Sequence, residues 1–120
     1  MAKKILIIDD SKLAVVMVKD ALEKSGYQVL TAMTGEEGVE TAKTQQPDLV
    51  IVDTVMPGLN GFEVCQKIKE QDGQNIPKVI VVTGSVDAVN ASKARQAGAD
   101  GYSVKTSDVS NILEEIRNLI

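Results

Sequence analysis

Short β-branched runs in this chain end on acidic or hydroxyl residues, and that placement constrains the fold more than any other feature. KILII (4–8) runs into Asp9 and Asp10, DLVIV (48–52) into Asp53, and KVIVV (78–82) into Thr83. A further run, DGYSV (100–104), is followed by Lys105. The first three are brief and rich in valine and isoleucine, the pattern of strands buried on both faces of a parallel sheet. Every polar group stands at the C-terminal end of its strand. In open α/β sheets that end is where ligands bind. Carboxylates, a hydroxyl and an ammonium on one rim point to a metal ion and a phosphoryl group.

Between the runs lie segments of helical period. The reading is a strand over 4–9, a helix over 11–25 stopped by Ser25-Gly26, and a second strand over 27–32. Thr34 and Glu37 have the spacing of a capping box, in which each satisfies the other's free backbone donor. That helix runs to Gln45, before Pro47. A strand over 48–53 leads to the turn MPGLNG (56–61), where Asn60 caps a helix starting near Phe62. Asp72-Gly73 and Pro77 precede the strand over 78–82. A weakly apolar helix covers 86–97, a strand 100–104, and a final helix starts near 108. Val109, Ile112, Leu113, Ile116, Leu119 and Ile120 give that last helix a core-facing stripe.

Strict alternation of this kind gives a parallel sheet with right-handed crossovers and helices on both faces. For five β/α units the expected architecture is flavodoxin-like and doubly wound, with strand order 2-1-3-4-5. Strands 1 and 3 then adjoin at the switch point, so Asp9 and Asp10 lie beside Asp53. Strand 4 brings Thr83 next to Asp53, and strand 5 places Lys105 beyond it. No linker, repeat or low-complexity tract interrupts residues 1–120, which read as one domain.

Composition narrows the chemistry. The net charge is −4 and no Lys/Arg cluster occurs, so direct nucleic-acid binding is not expected. No stretch has the length of a membrane span and no signal peptide opens the chain. The single cysteine excludes an internal disulfide, and a cytoplasmic location is expected. Cys65 falls on the Phe62/Ile68 face of its helix and reads as core. The absence of histidine removes Ser–His and Cys–His nucleophile pairs and any His/Cys zinc site. Clustered carboxylates repel and need an offsetting positive charge. Mg²⁺ suits oxygen-only ligands, and Lys105 adds a second positive charge. A carboxylate can itself be the nucleophile, forming an aspartyl-phosphate. Asp53, central and at the end of the most apolar run, is the best placed.

IIDDS (7–11), IVDTVMPGLNGFE (51–63), VIVVTGS (79–85) and AGADGYSVK (97–105) together resemble the receiver domain of two-component response regulators, the CheY-like family. The resemblance covers the whole chain and suggests a stand-alone receiver. It implies that Asp53 accepts a phosphoryl group from the phosphohistidine of a histidine kinase or phosphotransfer protein. It implies that Asp9, Asp10, Asp53 and the backbone carbonyl of Val55 hold Mg²⁺. Thr83 would hydrogen-bond the phosphoryl group, Lys105 would pair with it, and the small Gly84 would leave it accessible. Tyr102 matches an aromatic switch that turns inward as Thr83 moves. The surface built from helix 4, strand 5 and helix 5 would then change its protein partners, whose identity the sequence does not reveal. The chain departs from the family after Lys105, where Thr106 stands in place of the usual proline, and the cis or trans state of that bond is left open.

Three other readings are weaker. A haloacid-dehalogenase-type phosphatase needs an acid/base aspartate two residues after its nucleophile, and Val55 stands there. A flavodoxin must cradle the FMN phosphate in its first loop, where Asp9 and Asp10 would repel it. A receiver-shaped module that is never phosphorylated would not need the complete acidic set. A phosphoacceptor signalling domain, catalysing only its own phosphorylation and dephosphorylation, is therefore expected rather than an enzyme. Helix 1 carries LAVVMV (13–18), apolar all round, so part of Leu13, Val15, Val16 and Met17 must face solvent as a docking surface for the phosphodonor.

Overall fold

A computed structural model of the chain describes residues 2–71, 76–84, 88–104 and 109–120. Strands β1 (Lys4–Ile8), β2 (Gln28–Ala32), β3 (Leu49–Asp53), β4 (Lys78–Thr83) and β5 (Gly101–Val104) alternate with helices α1 (Lys12–Lys24), α2 (Gly35–Gln45), α3 (Gly61–Lys69), α4 (Ala88–Gln96) and α5 (Ser110–Leu119). The strands form one parallel sheet in the order β2-β1-β3-β4-β5. This is the doubly wound architecture expected from the alternation of runs. Ile8 pairs with Val52, Asp53 with Val82 and Thr83 with Val104, so the C-terminal ends of β1, β3, β4 and β5 make one rim.

Strand pleating divides the apolar residues between two cores. Leu6, Ile8, Val50, Val52, Val79 and Val81 face a cluster with Ala42 of α2 and Val64, Cys65 and Ile68 of α3. Ile5, Ile7, Leu49, Ile51, Ile80 and Val82 face Val15 and Leu22 of α1 and Ile112 and Ile116 of α5. Both faces of β1, β3 and β4 are thus covered, which is why their sequences read as continuous apolar runs. The edge strands β2 and β5 are only partly buried, and their sequences are correspondingly mixed.

Element boundaries depart from the sequence reading by a residue or two, for local reasons. Asp9 follows β1 but its amide still donates to the Ala32 carbonyl at 3.1 Å. Asp48 precedes β3, with its amide bonded to the Lys4 carbonyl and its carboxylate accepting from the Lys4 amide at 2.7 Å. Asp100 precedes β5 and does similar work on Val79, donating to its carbonyl and accepting from its amide. Ser25 closes α1, and Gly26 turns the chain with φ +92°.

The capping box expected at the start of α2 forms only in half. Thr34 Oγ1 accepts from the Glu37 amide at 3.1 Å, but the Glu37 carboxylate accepts from the Met33 amide, not from that of Thr34. Reciprocal capping occurs instead at α3. Asn60 Oδ1 accepts from the Glu63 amide at 3.0 Å, and Glu63 Oε1 accepts from the Asn60 amide at 3.1 Å.

Candidate functional site

The rim of the sheet gathers the acidic residues singled out in the sequence. Asp9 and Asp53 are buried, at 8% exposure each, while Asp10 beside them is exposed. One carboxylate oxygen from each of the three lies within 4.8 Å of the others. Two unit negative charges no farther apart than that repel by at least about 3.5 kcal/mol at an effective dielectric of about 20. A positive charge at the cluster is the direct remedy. The donors are all carboxylate oxygens, one of them open to solvent, which fits a hard cation that keeps several waters, such as Mg²⁺.

Local structure holds each carboxylate where it stands. Asp9 Oδ1 accepts from the Ser11 amide at 2.9 Å, and Ser11 in turn caps α1 through its hydroxyl, which accepts from Ala14. Asp9 is therefore both an acidic ligand candidate and the anchor of the turn into α1. Asp53 is the last residue of β3. The backbone beyond it is pinned on two sides: the Thr54 amide donates to the Val82 carbonyl at 3.0 Å, and the Thr54 carbonyl accepts from Gly61 at 3.3 Å.

The other predicted residues fall as follows. Thr83, 3% exposed, ends β4 one residue beyond the Val82 that pairs with Asp53. Tyr102 is half-buried on β5, opposite Val81. Val55 sits two residues beyond Asp53 with its side chain 77% exposed. Gly84 follows Thr83 in open space, where an added Cβ would meet no atom within 4 Å. Lys105, Thr106 and Ser85 lie outside the described residues. Cys65 is fully buried, and its thiol is pushed up to about 11, first by burial, with Lys69 opposing and Asp100 adding to the rise.

Two features of the site escaped sequence reasoning. Gly61 approaches the Asp53 backbone so closely that a Cβ there would lie 2.3 Å from the Asp53 carbonyl oxygen. Only the Asn-Gly pair before α3 hints at it. The second is a cavity of about 300 Å³ lined by Asp9 and Asp53 together with Ile7, Ile51 and Val82 of the sheet, residues of α1, and Ile112 of α5. Next to it, Leu13, Val16 and Met17 are exposed at 72%, 61% and 42%, whereas Val15 is buried. This is the partial exposure of α1 that its all-round apolar sequence requires. Among the described residues, no helix is long and apolar enough to cross a membrane.

Comparison with known proteins agrees with this geometry. The response regulator receiver domain model matches residues 5–117, and the chain belongs to that family. Receiver domains of this CheY-like kind are phosphoacceptor signalling modules of two-component systems. The chain is 38% identical over 118 residues to the protein PilH of Pseudomonas aeruginosa, covering 98% of this chain and 97% of PilH. It is 36% identical over 105 residues to PhoP of Bacillus subtilis, an alkaline phosphatase synthesis transcriptional regulatory protein, covering 88% of this chain but only 43% of PhoP. Among solved structures, the response regulator TrrA of Thermotoga maritima, crystallised in complex with Mg²⁺–BeF, superposes with a TM-score of 0.85 at 32% identity. That match covers 98% of this chain and 99% of TrrA.

Proposed function

We propose that this chain is a single receiver domain over residues 1–120, acting in the cytoplasm, whose Asp53 is the phosphoacceptor. The phosphodonor is a histidine kinase or phosphotransfer protein carrying a phosphohistidine. An Asp53 carboxylate oxygen attacks phosphorus, the P–N bond of the phosphohistidine breaks, and the imidazole nitrogen leaves with its electron pair. The product is an acyl phosphate. The observation that carries this reading is the convergence of Asp9, Asp10 and Asp53 oxygens within 4.8 Å at the C-terminal rim.

Asp9, Asp10, Asp53 and the Val55 carbonyl would hold Mg²⁺, which when bound offsets the charge that phosphoryl transfer spreads over the oxygens. Asp9 is held ready for this by the Ser11 amide. Thr83 would donate its hydroxyl to the phosphoryl group, and Lys105 would pair with it. Tyr102 would turn inward as Thr83 moves, changing the surface of α4, β5 and α5 that protein partners read. With a net charge of −4 and, among the described residues, no helix long and apolar enough to cross a membrane, the direct partners in this reading are proteins.

Incubation with acetyl phosphate and Mg²⁺, followed by intact-mass measurement, tests the assignment. One phosphoryl group is expected on the wild type and none on Asp53→Asn. Equal labelling of both would remove Asp53 from the role.

A further inference from the structure

The turn that follows Asp53 does not stand alone. The N-terminal turn of α2 presses against it, although 23 residues separate the two along the chain at their hydrogen bond. Glu36 Oε1 accepts from the Leu59 amide at 3.3 Å. The same oxygen lies 3.0 Å from where a Cβ on Gly58 would sit, and Gly58 has φ +77°. One residue earlier, a Cβ on Gly35 would lie 2.8 Å from Leu59 Cβ and 3.0 Å from the Leu59 carbonyl oxygen. Glu36 therefore reaches out of its own helix. Its neighbour Glu37 serves the local backbone at Met33 instead.

The clamped turn, Met56 to Asn60, lies between two fixed points. One is Asp53-Thr54, held by Val82 and Gly61, and the other is the capped start of α3 at Asn60. Val55 is the first residue of the span between them. Its neighbour Met56 is anchored in the core. Val55 thus lies between pinned Thr54 and Met56, and the turn that carries Met56 is held at its middle by what binds Leu59. Among the described residues, the side-chain hydrogen bond to that middle comes from Glu36.

We propose that Glu36 is a positioning residue for cation binding: by holding Leu59 it sets the path of the Val55 backbone and so the affinity of the acidic site for Mg²⁺. This rests on the reading of Asp9, Asp10 and Asp53 as an Mg²⁺ site. Glu36 touches neither the metal nor the phosphoryl group in this scheme. A carboxylate near an acidic cluster also raises cation affinity by charge alone, so the variants must separate the two effects. Glu36→Ala removes both the acceptor and the charge. Glu36→Gln removes the charge and keeps an acceptor oxygen in place.

The test uses the whole chain and two measurements. Amide exchange of Leu59 in metal-free protein reads the clamp, and Mg²⁺ titration followed by calorimetry reads the affinity. In Glu36→Ala the Leu59 amide should exchange about tenfold faster and the Mg²⁺ dissociation constant should rise about fivefold, the worth of one ordinary hydrogen bond. Glu36→Gln should restore both to within about twofold of wild type, because its amide oxygen can accept the same bond. Unchanged Mg²⁺ affinity in Glu36→Ala would overturn the proposal. So would a Glu36→Gln variant as weak as Glu36→Ala, since charge rather than the clamp would then account for the effect. A wild type that binds no Mg²⁺ would instead overturn the underlying reading of the site, and the proposal with it.

Discussion

Replacing Gly61 by alanine should damage both the fold and the site, against the ordinary expectation for a helix. In an unobstructed helix glycine is worse than alanine by about 1 kcal/mol. Here the added methyl would lie 2.3 Å from the Asp53 carbonyl oxygen and 2.8 Å from Thr54 Cα. Both are backbone atoms, so no rotamer change relieves the clash. Ordinary contact begins near 3.4 Å, and the α3 start must therefore move from the end of β3 by about 1 Å. Overpacking of this kind costs about 1–3 kcal/mol. With the clash at rigid backbone, the upper end applies, and the helix gain offsets about 1 kcal/mol of it. A net loss of about 2 kcal/mol lowers Tm by about 6–10 °C in a domain of this size. A displacement of 1 Å at a reacting group can cost about a hundredfold in rate. Phosphorylation of Asp53 from acetyl phosphate should accordingly slow by at least about tenfold. Gly84→Ala is the control for stability, because open space surrounds Gly84 and its Tm should stay within the effect of about 0.5 kcal/mol. Calorimetric melting and mass-resolved phosphorylation kinetics read both quantities. A Gly61→Ala protein that melts and labels like wild type would refute the close-approach argument.

Charged substitutions at Leu13 or Val16, both exposed on α1, should slow phosphotransfer from a histidine kinase without slowing labelling by acetyl phosphate. Equal slowing by both donors would point to a folding defect instead. Helix α4 should exchange its amides faster than α5. Ala94 is its buried anchor and Val89 is 63% exposed, whereas α5 buries Ile112 and Ile116, each worth about 1.5–3 kcal/mol. Equal protection in native-state exchange would contradict this. The Cys65 thiol should resist alkylation in the folded protein, and its burial should make stability depend on alkaline pH. Its folded pKa is raised from 9.0 to about 11, so its contribution is complete below pH 9 and is lost as pH rises through 11. Denaturant titrations of wild type and Cys65→Ala should diverge from parallel behaviour only in that window.

Much of the fold was legible in the chain because local and global preferences agree. The β-branched runs, the Ser25-Gly26 stop, the Asn60 cap and the apolar stripe of α5 each depend on residues within a turn of one another. The 2-1-3-4-5 order then places Asp9, Asp10 and Asp53 together as a consequence of connectivity, since β1 and β3 must adjoin at the switch point. The exposure of Leu13 and Val16 was legible for a similar reason: a single face of a helix cannot bury six consecutive apolar residues.

Tertiary structure alone decided which partner each group meets. Thr34 and Glu37 have the spacing of a capping box, yet the Glu37 carboxylate goes to Met33. Asn60 and Glu63 have the same spacing and complete it. Spacing specifies which bonds are within reach, while the path of the incoming chain selects among them. Gly61 and Gly84 look alike in sequence, both small residues beside the rim. One abuts the Asp53 carbonyl because α3 starts against the end of β3, while a Cβ on the other would meet no atom within 4 Å. Glu36 reads as one more acidic residue in a first helical turn. Its hold on Leu59 exists only because two βα connections far apart in sequence, after β2 and β3, meet across the intervening β1. Residue order limits which groups within a turn of the chain can meet. Contacts across the sheet depend on atomic separations that residue order does not encode.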